Sequence, residues 1–261
     1  MQEPIVLDHI KIPNARDLGG YLGADGRKIL KKRLLRTGKI IDLSNDDKKF
    51  LINYGVKTVI DLRTPSEYNV NPDTPIEGVE DVHIPVHRDA KLDTKLIAMR
   101  QTYDKIQYAG FKSMCYQYRR SITEPFSQNA FKKILETLAS QKDGATIFHC
   151  SEGKDRTGLT TVFILYLLGV NWETIRQDYL YSNFTLRDYQ AAMDKKIIAE
   201  GGNDILRSNI RSLAGVANEY LDTALLTIKQ EYDGIDNFIH NQLGLDQEFI
   251  QEFRNLYLEV K

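Results

Sequence analysis

A short apolar run, a loop and a long apolar run follow one another at residues 145–170, and this segment constrains the fold most. Ala145-Thr146-Ile147-Phe148-His149 is nearly all apolar, which is typical of a strand buried on both faces of a parallel sheet. The apolar run from Val162 to Val170 predicts a buried helix, which should extend from about Arg156 to Leu168 and end at Gly169. A buried strand that leads through a loop into a buried helix indicates an α/β fold.

The rest of the chain extends this interpretation. Val56–Leu62 is rich in β-branched residues and predicts a second buried strand, and Val79–Val86 predicts a third. Ser44 begins a predicted helix that ends near Tyr54, before Gly55. From Asn183 onwards only helical patterns occur. We therefore predict a central, mostly parallel sheet flanked by helices, in a single domain over residues 1–261 whose helical tail, residues 216–261, packs on the core.

Composition excludes several classes of protein. The net charge of −1 argues against a nucleic-acid partner, which would require a strongly basic surface. Two cysteines are too few for a disulfide framework or a cysteine-rich zinc site. The longest apolar run is too short to span a membrane. The first residues lack the pattern of a secretory signal, so we expect a cytoplasmic protein, although an exported chain without its leader would look the same.

The loop between the predicted strand and helix has the composition of an anion site. Cys150 and Arg156 are separated by five residues, and a loop of this length can turn its backbone N–H groups inward at a helix N-terminus. Arg156 can add a planar fork for two phosphate oxygens. The same positive field favours a Cys150 thiolate, which is a nucleophile. The alternative is a small apolar cysteine that ends a core strand before a solvated charged run. A Walker A loop is excluded because Asp155 follows Lys154.

This loop resembles the signature of protein tyrosine phosphatases and dual-specificity phosphatases. More narrowly, its residues His149 to Gly158 are similar to those of a bacterial tyrosine-protein phosphatase group that includes atypical lipid phosphatases. Further segments that match this group are spread over residues 12–185: Asn14-Ala15-Arg16-Asp17-Leu18-Gly19-Gly20, Leu34-Leu35-Arg36-Thr37-Gly38, Asp61-Leu62-Arg63 and Asp178-Tyr179-Leu180-Tyr181-Ser182-Asn183.

The resemblance implies a protein-tyrosine-phosphatase-like fold and a reaction in two steps without a metal or other cofactor. Cys150 attacks phosphorus, and water then hydrolyses the cysteinyl phosphate. Arg156 and the backbone amides of the loop would hold the phosphoryl group. Thr157 would offer a hydroxyl to the thiolate or to water, and His149 would orient the loop, with Asp61 and Arg63 in support. The amide-bearing loop residues assigned to phosphate binding are Ser151, Glu152, Gly153 and Lys154.

The general acid is less certain from the residues. Many related phosphatases use an aspartate on a separate upstream loop, but no Asp occurs between Asp104 and Asp143. Asp155 is the first candidate because the matching position is acidic in the resembling group. Asp61, at the end of a predicted strand, is the second. The alternative for Asp155 is an ion pair with Arg156 or Lys154 at the start of a helix.

The resemblance also bears on substrate. A phosphorylated protein or a phosphoinositide is the expected partner, and inorganic phosphate the product. Lys154 would contact a second phosphate or an inositol ring, whereas the acidic Glu152 would oppose highly phosphorylated substrates. By analogy with the group, residues 184–215 could form a helical lid.

Two other functions are kept as alternatives. Asp61-Leu62-Arg63-Thr64-Pro65-Ser66-Glu67-Tyr68 is similar to a segment of rhodanese domains, which are sulfurtransferases. A non-catalytic phosphoprotein-binding module is the third hypothesis, although the chain keeps both Cys150 and Arg156.

Overall fold

The computed structural model describes residues 3–89 and 93–260, and its centre is one six-stranded sheet. In space the strands follow the order β1-β2-β3-β6-β4-β5. The neighbours β3, β6, β4 and β5 are parallel, while β1 and β2 add an antiparallel edge. The predicted central, mostly parallel sheet is therefore confirmed. The strands are β1 (Ile5–Val6), β2 (Arg16–Asp17), β3 (Leu34–Thr37), β4 (Val56–Asp61), β5 (Glu80–His83) and β6 (Ala145–His149).

Helices flank this sheet and form the C-terminal part of the chain. Those before β6 are α1 (Asn45–Tyr54), α2 (Pro65–Val70), α3 (Thr94–Arg100), α4 (Ala109–Thr123) and α5 (Pro125–Ser140). Those after it are α6 (Arg156–Leu167), α7 (Trp172–Thr185), α8 (Arg187–Ala199), α9 (Asp204–Ala214), α10 (Asn218–Tyr232), α11 (Ile235–Asn237), which continues as a π-helical turn (Phe238–Gln242), and α12 (Gln247–Tyr257).

The ends of α1 show how local sequence determines an element. Ser44 accepts a hydrogen bond from the backbone of Asp47, and the Asp47 side chain accepts one from the backbone of Ser44. This capping box satisfies N–H groups that the first turn leaves free. Gly55 ends the helix with φ of 99°, a conformation that is strained for residues with a Cβ atom. The predicted helix start, helix end and following strand all agree with the structure.

Two apolar layers cover the two faces of the sheet. Alternate strand residues point to opposite faces, so Phe148 packs in the larger cluster and Ile147 in the smaller one. The larger cluster includes Tyr220, Phe253 and Tyr257 from helices α10 and α12. Within residues 3–89 and 93–260, no helix has both the length and the apolar character needed to cross a bilayer.

The parallel strands place their following loops at one edge of the sheet. Thr37 ends β3, Asp61 ends β4 and His149 ends β6, and the three strands are neighbours. Ligands of open α/β sheets bind at the carboxyl ends of the strands. This edge, where the Cys150 loop begins, is therefore the first place to look for a site.

Candidate active site

The loop from Cys150 to Asp155 connects β6 to α6 and wraps closely around its neighbours. Cys150 is 2% exposed and packs in the larger apolar cluster. Gly153 has φ of 66°, and a Cβ atom there would lie 2.3 Å from the carbonyl oxygen of Thr37. Only glycine fits this position, because both the backbone conformation and the close approach exclude a side chain.

Two polar side chains hold the backbone of the loop from its buried side, and a third supports one of them. Asn14 Nδ2 donates to the carbonyl oxygens of Gly153 at 2.8 Å and Glu152 at 3.1 Å. Arg36 Nη2 donates to the Gly153 carbonyl at 2.8 Å. The Ser182 hydroxyl lies 3.3 Å from Asn14 Nδ2 and ties α7 to this cluster. The carbonyls thus point toward the protein interior, away from the open face of the loop.

A buried carboxylate supports these contacts. Asp178 on α7 accepts hydrogen bonds from Arg16 Nε at 3.0 Å and from Arg36 Nη1, and all three side chains are fully buried. Burial alone would raise the pKa of Asp178, but the charges of Arg16 and Arg36 lower it below its ordinary value. Burial, followed by repulsion from Arg16, lowers the pKa of Arg36 to about 10. Both groups therefore remain charged at neutral pH.

Arg156 is held by a residue that sequence reasoning did not select. Its Nη1 and Nη2 donate to the two carboxylate oxygens of Glu67 at 2.6 and 2.9 Å. Ser151 Oγ donates to Glu67 at 2.6 Å and lies 3.1 Å from Arg156 Nη2. This bidentate arrangement uses the edge of the guanidinium formed by Nη1 and Nη2.

In this cluster the opposite charges of Glu67 and Arg156 determine the direction of each other's pKa shift. Burial would raise the pKa of Glu67, but the hydrogen bonds and charge of Arg156 lower it well below its ordinary value. Burial would lower the pKa of Arg156, but negative charge at the Cys150 and Glu67 positions raises it above its ordinary value.

The carboxylate of Asp155, the residue before α6, receives two donors. Tyr118 Oη donates to Oδ1 at 2.9 Å, and Lys154 Nζ donates to Oδ2 at 2.7 Å. Lys154 Nζ also donates to the carbonyl of Gly215 at 3.1 Å, and its side chain is only 4% exposed. The predicted ion pair between Lys154 and Asp155 is therefore present. The ammonium group faces this carboxylate and the end of α9, not the open face where a second substrate phosphate was expected.

A second group of charged side chains surrounds His149, the last residue of β6. His149 Nε2 donates to Asp73 Oδ2 at 2.6 Å, and His149 Nδ1 lies 3.2 Å from the carbonyl of Cys150. Arg63 binds Asp61 with both Nε and Nη2, and it binds Asp73 at 2.7 Å. The fully buried carboxylate of Asp61 thus binds Arg63. Asp73 binds both Arg63 and His149, the residue before Cys150.

Three residues of this group could hold a metal ion by geometry. One ligand atom each from Asp61, Asp73 and His149 lies within 4.8 Å of the others. The Arg63 guanidinium already supplies positive charge to both carboxylates. A divalent ion would have to displace it, so the side chains are arranged for arginine.

Thr157 and Glu152 differ in their surroundings. Thr157 is fully buried, and its Oγ1 has no hydrogen-bond partner within residues 3–89 and 93–260. This hydroxyl is therefore available to a bound group. Glu152 is partly buried, and burial raises the pKa of its carboxyl.

A cleft of about 410 Å³ opens beside Arg156 and Asp155. Apolar side chains of Leu96 on α3 and Met114 on α4 line one part of it. Four arginines, Arg88, Arg100, Arg120 and Arg156, line it together with two carboxylates, Glu67 and Asp155. The cleft can therefore accept an apolar or aromatic group next to the loop, and its arginines outnumber its carboxylates.

The missed residues are all distant in sequence from the loop. Glu67, Asp73, Tyr118 and Asp178 bind loop or loop-flanking residues from other elements. For Glu67 a signal existed, because Thr64-Pro65-Ser66-Glu67 predicts a capped helix start. The structure confirms that cap, with Glu67 Oε2 accepting from the Thr64 backbone at 2.9 Å, but the same carboxylate also holds Arg156.

Comparisons with known proteins identify the family of the chain. A family model described as "Tyrosine phosphatase family" matches residues 7–259. A Cupriavidus necator protein, provisionally named a tyrosine-protein phosphatase, is 28% identical over 253 residues, with 95% of this chain and 86% of the relative covered. A tyrosine-protein phosphatase of Nostoc commune is 27% identical over 230 residues, with 84% and 72% covered.

Two further proteins are similar to this chain at lower sequence identity. The triple specificity protein phosphatase PtpB of Mycobacterium tuberculosis is 25% identical over 254 residues, with 87% of this chain and 91% of the relative covered. A crystal structure of a cysteine-to-serine variant of Pseudomonas aeruginosa TpbA with phosphotyrosine matches with a TM-score of 0.36 and 15% identity, covering 77% of this chain and 89% of that one. Because the family match spans nearly the whole chain, the protein belongs to the tyrosine phosphatase family.

Proposed function

We propose that the chain hydrolyses phosphomonoesters through a cysteinyl-phosphate intermediate on Cys150, with phosphotyrosine in proteins as the preferred substrate. The observation that carries this proposal is the loop that places Cys150 at the end of β6 and Arg156 at the start of α6, with the Arg156 guanidinium held by Glu67. A nucleophile and a phosphate-binding fork that share one small site can attack phosphorus and stabilise the charge that develops on its oxygens.

In the first step, the Cys150 sulfur forms a bond to phosphorus while the bond from phosphorus to the leaving oxygen breaks. Asp155 donates a proton to that oxygen. In the second step, water attacks phosphorus, its proton passes to the Asp155 carboxylate, and the thiolate leaves. Thr157 can offer its free hydroxyl to sulfur or water. Arg156 and the amides of Ser151, Glu152, Gly153 and Lys154 bind the phosphoryl oxygens in both steps.

Asp155 is preferred to Asp61 as the acid because of where the two carboxyls lie. The Asp155 side chain is 30% exposed and lines the cleft. Asp61 is fully buried and bound to Arg63.

The loop favours a singly phosphorylated substrate over a phosphoinositide with several phosphates. The Lys154 ammonium group is already bound by Asp155 and Gly215, so it does not offer a free charge to a second phosphate. Glu152 adds negative charge to the same loop. The apolar side chains of Leu96 and Met114 in the cleft suit the ring of phosphotyrosine. These features support a protein substrate, with inorganic phosphate as product.

A serine at position 150 tests the nucleophile. The Cys150→Ser variant should lose hydrolysis of p-nitrophenyl phosphate while still binding inorganic phosphate, since Arg156 and the loop amides remain. Cys115→Ser is the matched control, because this second free cysteine lies in α4 and should be dispensable. Turnover that survives in Cys150→Ser would contradict the proposal.

Substrate preference is tested on a panel with the wild-type enzyme. Phosphotyrosine peptides should be hydrolysed faster than phosphoserine peptides or vesicles that contain phosphoinositides, with and without a chelator. A higher rate on phosphoinositides would contradict the preference but leave the mechanism intact. Sulfur transfer from thiosulfate in place of phosphatase activity would contradict both.

A further inference from the structure

Two tyrosine hydroxyls form a short chain that ends on the proposed general acid. Tyr118 on α4 donates to Asp155 Oδ1 at 2.9 Å, and its oxygen lies 2.8 Å from the hydroxyl oxygen of Tyr179 on α7. Both tyrosines are only 1% exposed. Buried hydroxyls require hydrogen-bond partners, and these two bind each other and Asp155.

The rings are packed so that the hydroxyls keep their places. The two rings meet edge to face with centroids 6.3 Å apart, and Tyr118 also contacts the Tyr220 ring at 5.8 Å. Gly158 lies in the first turn of α6, and a Cβ atom there would be 3.2 Å from the Tyr179 ring. Tyr179 therefore rests against the same helix turn that follows Asp155, which couples the hydroxyl chain to the loop.

A tyrosine hydroxyl differs from the other partner of Asp155 in its hydrogen-bonding capacity. The Lys154 ammonium group can only donate, whereas a hydroxyl can donate or accept. When Asp155 is ionised, Tyr179 donates to Tyr118, and Tyr118 donates to the carboxylate. When Asp155 carries the proton for the leaving oxygen, that proton is on Oδ2, and Oδ1 still accepts from Tyr118. The bond from Tyr118 to Oδ1 is therefore kept in both states.

Both tyrosines remain neutral while this happens. Burial, followed by the negative charge of Asp155, raises the pKa of Tyr118 and of Tyr179 well above the ordinary value. Neither side chain therefore acts as the acid itself. The other titratable groups that interact with Asp155 are Glu152, Lys154 and Arg156 in the loop, Tyr189 on α8 and Tyr220 on α10.

We infer that Tyr118, supported by Tyr179, is a positioning residue that keeps Asp155 aimed at the leaving group and the attacking water in both steps. The inference depends on the proposed function, in which Asp155 gives up a proton in the first step and regains one from water in the second. No proton is transferred to a tyrosine. Oδ1 accepts from Tyr118 before and after each proton transfer, and the carboxyl group keeps one position.

A series of aryl phosphates with leaving groups of different basicity tests the inference. Poor leaving groups need the proton from Asp155, while good ones do not. Asp155→Asn should therefore reduce kcat/KM most for the poorest leaving groups. Tyr118→Phe should reduce it in the same pattern, by about 10-fold for the poorest leaving groups, and Tyr179→Phe should have a smaller effect. Tyr257→Phe is the matched control, because that buried hydroxyl donates to the carbonyl of Leu138, far along the chain from the loop.

The double variant Asp155→Asn with Tyr118→Phe separates positioning from general damage. If Tyr118 acts through Asp155, adding Tyr118→Phe to Asp155→Asn should change kcat/KM no further, because interacting residues are not additive. Additive losses, or a Tyr118→Phe effect that is equal for all leaving groups, would overturn the inference. A flat pattern for Asp155→Asn would instead reject Asp155 as the acid in the proposed function. Tyr179→Phe keeps the direct bond to Asp155, so it provides a second test if Tyr118→Phe folds poorly.

Discussion

Two arginines meet carboxylates on opposite sides of the loop, and their surroundings differ sharply. Arg36 pairs with Asp178 below the loop, where both side chains are fully buried. Arg156 pairs with Glu67 at the cleft, where the Glu67 side chain is 36% exposed. The buried pair fixes the backbone through the Gly153 carbonyl, and the pair at the cleft orients the guanidinium that we propose binds phosphate. The comparison indicates that stability and phosphate binding depend on different ion pairs.

The physical reason lies in the cost of isolating a charge. Removing one partner of a buried ion pair leaves an uncompensated charge in a low-dielectric environment, which costs about 3–5 kcal/mol. Breaking the Arg156–Glu67 pair should cost less, about 1 kcal/mol, because its side chains are 13% and 36% exposed and water reaches the cleft. Variants of the two carboxylates should therefore separate folding from catalysis.

Asp178→Asn should have the largest effect, and the effect should be on folding. The substitution leaves Arg16 and Arg36 without their shared anion, so the free energy of unfolding should fall by about 3–5 kcal/mol. Urea denaturation measures this change. Asp222→Asn is the matched control, because Asp222 pairs with Arg176 at 2.6 Å where both side chains are partly exposed. Similar losses in the two variants would contradict the distinction between buried and exposed pairs.

Glu67→Gln should mainly affect catalysis. The neutral amide keeps the size of the side chain but loses the bidentate carboxylate that orients Arg156. We expect kcat/KM for p-nitrophenyl phosphate to fall by about 10-fold, which corresponds to about 1.4 kcal/mol of transition-state stabilisation. The free energy of unfolding should change by no more than about 1 kcal/mol. A loss of stability with unchanged kinetics would show that Glu67 is a folding residue only.

His87→Gln should have the smallest effect, visible only as a change with pH. Burial, followed by repulsion from Arg156 and Arg120, lowers the pKa of His87 to about 3, while the unfolded value is about 6.5. The unfolded state thus binds a proton more readily, so stability from the neutral histidine is complete above pH 6.5 and falls as the pH decreases toward 3.

The variant removes this titration and keeps a side chain that can bind Ser121, the partner of His87 at 2.7 Å. Between about pH 7.5 and pH 5, wild type should lose about 1 kcal/mol more stability than the variant, since the ring is only partly buried. Parallel stability curves over this pH range would contradict the assignment.

Residues near one another in sequence were predictable, and residues brought together by the fold were not. Cys150, Arg156, strand β6 and helix α6 form one continuous segment, so strand, loop and helix patterns were sufficient. Glu67 is 89 positions from its partner Arg156. No local pattern indicates that a helix cap will also bind a catalytic arginine.

Lys154 shows that the surroundings of a side chain also depend on distant parts of the chain. Lysine is ordinarily solvated, and the resemblance assigned it to substrate. Its burial depends on the chain at Gly215, which is 61 positions away and accepts a hydrogen bond from Nζ. Asp155 is similar, because its orientation depends on Tyr118 from another helix. The chemistry of the loop could be predicted from residue types, but the partners that tune each side chain required the tertiary structure.

Trapping the covalent intermediate tests the central claim most directly. Wild-type enzyme mixed with p-nitrophenyl phosphate and quenched with acid within one turnover should carry one phosphoryl group, located by peptide mass spectrometry on Cys150. The Cys115→Ser variant should give the same adduct, and Cys150→Ser should give none. A phosphoryl group on another residue, or release of p-nitrophenol in a burst without any adduct on Cys150, would contradict the account.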